Sequence, residues 1–153
     1  MEGFFRAIET TGLSTWIRES SSLLAFPGIL IAHTLGMAML VGVAVTTSLR
    51  VMGVAPGVPL LALNRFMPLA WAGLIMMIAS GLLLLVAYPM KALTNPIFYV
   101  KLVVIGFAVF ATVRVGRAGA TKRLAAVVIL LWAATITAGR LLPYTYHHLL
   151  SGS

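Results

Sequence analysis

The chain has 153 residues, of which 61% are hydrophobic and only 9% charged, with a mean hydropathy of +1.05. A fold of this size has too little interior to hide so much apolar side chain from water, so the excess faces lipid. The net charge of +8 comes from basic residues scattered around apolar blocks, without a basic stripe or interleaved aromatics, which excludes a nucleic-acid interface.

In chain order, residues 1–22 come first. Phe4, Phe5, Ile8, Leu13, Trp16 and Ile17 recur at three- and four-residue spacings, with Arg6, Glu9, Arg18 and Glu19 between them. That pattern predicts a short amphipathic helix lying in the membrane interface, divided into two turns near Gly12 and Ser14. Its acids and the lack of a small-x-small cleavage site set it apart from a signal peptide.

Four apolar blocks follow, at 23–49, 66–88, 96–115 and 124–142. Each is close to the ~20 residues that carry a helix across ~30 Å of hydrocarbon. Pro27, Pro68 and Pro96 suit helix starts, and Pro89 and Pro143 fall where the second and fourth helices should stop or bend. The predicted fold is all-α: residues 1–22 as an interfacial segment, 23–149 as an up-down four-helix transmembrane bundle, and 150–153 as a flexible tail. Trp71…Gly81 and Trp132…Gly139 give helices two and four a faint mutual echo.

Sidedness follows from the basic residues. Arg50, Arg65, Arg114, Arg117, Lys122 and Arg123 occupy the loops after helices one and three, where there is no acid. The other side holds Arg6, Arg18 and Lys91 together with Glu2, Glu9 and Glu19. The positive-inside rule puts the first group in the cytoplasm and both termini outside.

The zero cysteine count excludes disulfides, thiolate metal sites and cysteine nucleophiles. Phosphate-loop, dinucleotide, zinc-protease and nucleophile-elbow patterns are missing, and every acid precedes the first span, so no carboxylate pair lies in the membrane.

Chemistry therefore rests on His33, Lys101 and Arg140. His33 lies about ten residues into the first block, roughly 13–15 Å deep. Lys101 follows Pro96 closely, and Arg140 sits in the last turns of helix four, so all three belong to the outer half. His33 can be a neutral ring bonded across helices, to Thr135 or Thr137, or a contact for a ligand, cofactor or proton. Lys101 and Arg140 can snorkel, or can hold an anion such as a haem propionate or a lipid phosphate. Met37 shares a helix face with His33, and with Met76 or Met77 it would make a soft site for copper. His147 and His148, after Tyr144 and Tyr146, have no nearby acid to complete a metal site and read as an interfacial tail. Gly28, Gly36, Gly42, Gly73, Ala79 and Gly81 allow close helix approach, within the chain or to a membrane-protein partner or second copy.

Phe26-Pro27, His33-Thr34-Leu35-Gly36, Leu49-Arg50-Val51-Met52-Gly53, Arg65-Phe66-Met67-Pro68, Asn95-Pro96-Ile97-Phe98-Tyr99-Val100-Lys101 and Gly139-Arg140 together resemble a family of bacterial four-helix membrane proteins of unknown function. That layout is distantly similar to CopD-type copper-resistance domains and HemJ-type haem-associated domains. The resemblance implies a bacterial inner-membrane protein with His33 as an axial or metal-binding histidine and Lys101 beside it. Many such relatives carry a further histidine where this chain has Thr112-Val113-Arg114, and an acid where it has Leu49. The function expected is a haem b-binding redox or electron-transfer component. The alternatives are an accessory subunit in the bilayer and a copper-handling protein.

Overall fold

The computed structural model describes the backbone of residues 2–117 and 119–151, and their side chains apart from those of 2, 4, 5, 91 and 141–151. Those residues are helical throughout, joined by turns, and contain no strand. Two short helices, α1 (Glu2–Glu9) and α2 (Gly12–Glu19), precede the first span. The break falls at Thr10 and Thr11. Thr11 is the N-cap of α2, its hydroxyl accepting from the Ser14 amide, and this satisfies one of the free amides of the new helix.

The spans are α3 (Phe26–Met52), α5 (Met67–Ala87), α7 (Pro96–Val115) and the first part of α8 (Lys122–Ser151), all long and apolar enough to cross a membrane. Short helices α4 (Leu60–Asn64) and α6 (Pro89–Leu93) sit in two of the connections. The chain is thus an all-α four-helix membrane bundle, as its apolar blocks predict.

Local sequence sets the ends. Pro27, Pro68 and Pro96 stand in first turns, where a missing N–H costs nothing. Asn95 caps α7 by accepting from the Ile97 amide at 3.0 Å. Gly53, in the left-handed region at φ 104°, closes α3 with amide bonds from Gly53 to Arg50 and from Val54 to Leu49. Two ends differ from expectation. The first helix begins at Phe26, and α8 continues through Pro143 to Ser151.

The bundle is uneven. α3 packs along α5 and α8, and α7 packs on α8, whereas α5 and α7 barely touch. The core is built largely from small residues (Ala44, Ala70, Ala108, Ala111 and Ala125) around the Trp132 indole. Small side chains suit helices in lipid, where close van der Waals approach rather than water exclusion drives association. At the end where α3 begins, α2 lies on α5: Ile17 is buried with Ile29 and Ala87, and the Ser14 hydroxyl donates to the Ala87 carbonyl at 3.4 Å. The opposite end gathers the arginines. There the Arg50 guanidinium donates to the Pro56 and Val58 carbonyls and ties down the loop after α3.

Candidate functional site

Antiparallel neighbours bring matching depths together. His33 lies seven residues beyond the start of α3, about 10 Å along the axis and shallower than the sequence blocks imply. Ser80 lies seven residues before the end of α5, and Lys101 five residues beyond the start of α7. α8 returns Gly139 to the same level. One layer near the α1–α2 end therefore receives a polar group from each of α3, α5 and α7.

The His33 ring bonds to Ser80, with Nδ1 3.0 Å from Oγ. The Ser80 hydroxyl has a single hydrogen, and the Met76 carbonyl, 2.6 Å away, can only accept it. His33 Nδ1 must then be the donor towards Ser80. In the neutral ring this leaves Nε2 as the unprotonated nitrogen. Gly81 makes room for the ring: a Cβ there would stand 3.3 Å from His33 Cε1. Ser80→Ala should cost about 1 kcal/mol, because it strands the buried Nδ1–H in lipid-like surroundings. A double-mutant cycle with His33→Ala, read by unfolding in detergent, checks this; zero coupling would show that the bond contributes nothing.

Lys101 is half-buried. Its Nζ lies 3.5 Å from where a Gly139 Cβ would stand, at a depth similar to that of His33. Among the described residues the ammonium makes no hydrogen bond or ion pair. Arg140, next to Gly139, is exposed at the rim. The structure thus places His33 and Lys101 at similar depth, the first against α5 and the second against α8.

Other expectations are corrected. The histidine's partner is Ser80, because Thr135 and Thr137 turn their hydroxyls back to the carbonyls of Leu131 and Ala133 in their own helix. Met37 packs against the apolar core and Met77 is buried in it. The His147 and His148 side chains lie outside the described residues. Ser80 and the receiving role of Gly139 were missed from sequence; matching depths on antiparallel blocks was the signal that could have found them.

The donor set suits a metal porphyrin in one respect: the His33 ring is held by a bond at Nδ1, as metal-binding histidines are held at their second nitrogen. Room is the difficulty. A porphyrin needs a site of about 300 Å³ or more, whereas the His33 ring is packed on α5, bonded to Ser80 and 3.3 Å from where a Gly81 Cβ would stand. These residues do not enclose a porphyrin in this packing. A copper site fits no better, because Met37 and Met77 pack in the core and no three His, Asp, Glu or Cys side chains converge among the described residues.

Comparison with family models, with curated proteins and with solved structures finds no match to this chain.

Proposed function

We propose that this integral membrane protein binds an anionic group in the outer half of its bundle, between Lys101 and His33. The supporting observation is Lys101, a basic group inside a span, half-buried against Gly139, at the depth of His33 and without a carboxylate in any span. A charge in that setting is costly unless something compensates it, and this chain has no acid in any span. The ammonium offers three donors to an oxyanion, and a protonated His33 would add Nε2–H. Lys101→Met should lower the bound anion, measured as phosphorus and extracted lipid in the purified protein, by about fivefold, while Lys101→Arg retains it. Equal content in all three proteins would leave only a snorkelling lysine.

A second reading, haem b, is favoured by the His33 ring held at Nδ1 and by the resemblance to haem-associated membrane domains. It requires α5 to move off the His33 ring. A Soret band in protein purified from haem-replete cells, lost in His33→Ala, would establish it. A colourless preparation without bound anion would instead support an accessory subunit.

The arginine end is cytoplasmic in this reading, with both termini outside a bacterial inner membrane, following the positive-inside rule. The natural chain has no cysteine, so Arg117→Cys is a unique label. It should resist a membrane-impermeant maleimide in intact cells and react after permeabilisation. The reverse result would invert the topology.

A further inference from the structure

The arginine end of the bundle carries Arg50, Arg65, Arg114, Arg117, Lys122 and Arg123, and no acid. Two contacts draw these residues into one surface. Asn64 Oδ1 lies 3.4 Å from where a Gly116 Cβ would stand, so the adjoining Arg65 and Arg117, both exposed, share the junction where α5 begins and α7 ends. Lys122 Nζ lies 3.9 Å from where a Gly53 Cβ would stand, which sets the start of α8 over the end of α3. The connection between α3 and α5 is also apolar: Val54, Leu61 and Phe66 are 56%, 81% and 48% exposed. Length explains why α4 belongs to this surface. Residues 60–87 form one apolar stretch of 28, about 42 Å as a helix, against ~30 Å of hydrocarbon. In a continuous helix the Pro68 ring would clash with the Asn64 carbonyl, and the helix breaks at Arg65 and Phe66. α5, with 21 residues, spans the core by itself and leaves α4 at the boundary.

We infer that this end is a collar for anionic phospholipid, with headgroup phosphates at Arg65 and Arg117 and the apolar side chains of the α3–α5 connection at the acyl boundary. Charge selects that occupant, because clustered basic residues beside a span attract anionic headgroups. Arg50 spends its donors on the Pro56 and Val58 carbonyls and holds the loop in shape. The other five basic side chains are exposed. Leu61 and Phe66 favour lipid over a water-soluble acidic protein, since they continue the apolar surface of α5 into the interface. All three acids, Glu2, Glu9 and Glu19, stand at the opposite end, so the collar is one-sided. It is also separate from the Lys101 layer, because Lys101 lies near the start of α7 and Arg114 in its last turn.

Trp71 serves as the reporter. It stands four residues into α5, about 6 Å inside the boundary, and is 47% exposed. The full chain with Trp16→Phe is placed in vesicles of equal phosphatidylglycerol and phosphatidylcholine, with bromine on the acyl chains of one lipid or the other. Bromine quenches an indole that it touches, and Trp132, 1% exposed, contributes a constant background. Quenching of Trp71 should show about a fivefold preference for phosphatidylglycerol, the weight of one basic residue at an anionic headgroup. The preference should vanish in the Arg65→Gln, Arg117→Gln double variant, whose unfolding midpoint should hold because both side chains are exposed. It should persist in Lys101→Met. Trp16, read in Trp71→Phe, should show no preference, since the three acids offset the basic residues at that end. Equal quenching of Trp71 by both lipids would overturn the collar in favour of an acidic protein partner. An equal preference at Trp16 would overturn it as well, by reducing the effect to net charge. A preference that survives the double variant would remove Arg65 and Arg117 as the headgroup site. Loss of the preference in Lys101→Met would overturn the collar and assign the lipid to the Lys101 layer.

Discussion

Gly36→Leu is expected to open the α3–α5 seam with a large loss of stability. A Cβ at Gly36 would lie 2.7 Å from the Gly73 carbonyl oxygen and 2.9 Å from the Met77 amide. The same contact seen from α5 is as tight, with a Gly73 Cβ 2.6 Å from the Gly36 carbonyl. Both neighbours are backbone, so no side-chain rotation relieves the clash and the helices must separate. Over-packing costs typically about 1–3 kcal/mol, and a backbone obstacle puts this case at the upper end. Ser80 lies two turns along α5 from Gly73, so separation also strains its bond to His33 and should weaken anion retention. Gly42→Leu is the matched control: nothing lies within 4 Å of a Cβ there, on the same helix. Unfolding midpoints in detergent should fall clearly for the first variant and hold for the second. Equal midpoints would mean that the glycine contact does not set the helix spacing.

Trp132→Ala is the second large effect. The indole is 1% exposed among Ala108, Ala111 and Val128, and its Nε1–H donates to the Thr112 hydroxyl at 3.0 Å. That hydroxyl passes its own hydrogen to the Ala108 carbonyl at 2.7 Å, so the chain of bonds has one direction. Truncating a buried tryptophan costs about 3–5 kcal/mol in water-soluble cores. Here the low end applies, because helices that separate expose their side chains to lipid and lose packing rather than gain water contact. Thr112→Val should cost less, about 1–3 kcal/mol, by leaving the indole N–H buried without an acceptor. Trp71→Ala should cost under about 1 kcal/mol, since that ring is already 47% exposed. Similar losses at Trp71 and Trp132 would contradict the packing.

The sequence contrast between these tryptophans is slight. Both stand in leucine-rich helices, each followed by a glycine, and only their distance from the helix start differs, four residues into α5 against ten into α8. The structure separates them completely. The same holds for the glycines: Gly36 and Gly73 meet in a helix crossing, Gly81 receives an imidazole, and Gly42 meets nothing. Lys101 and His33 were legible as a shared layer, because helix starts marked by Pro27 and Pro96 give depth directly. Ser80 was not legible. A serine in an apolar helix can bond its own preceding turn, and this one does so through Met76 while also accepting from His33.

Number, length and order of the spans were determined by sequence alone, since whether a segment crosses ~30 Å of hydrocarbon depends on its own length and polarity. The exclusion of carboxylate and thiolate chemistry from the membrane was determined in the same way, by residues the spans do not contain. What only the tertiary structure decided is pairing: Ser80 rather than Thr135 or Thr137 for His33, Gly139 as the surface under Lys101, and a gap between α5 and α7. The physical reason is that these helices are apolar on nearly every face. Without a polar face to orient them, their rotation and offset come from the interlocking of small side chains between helices, and that interlocking has no signature within any one helix.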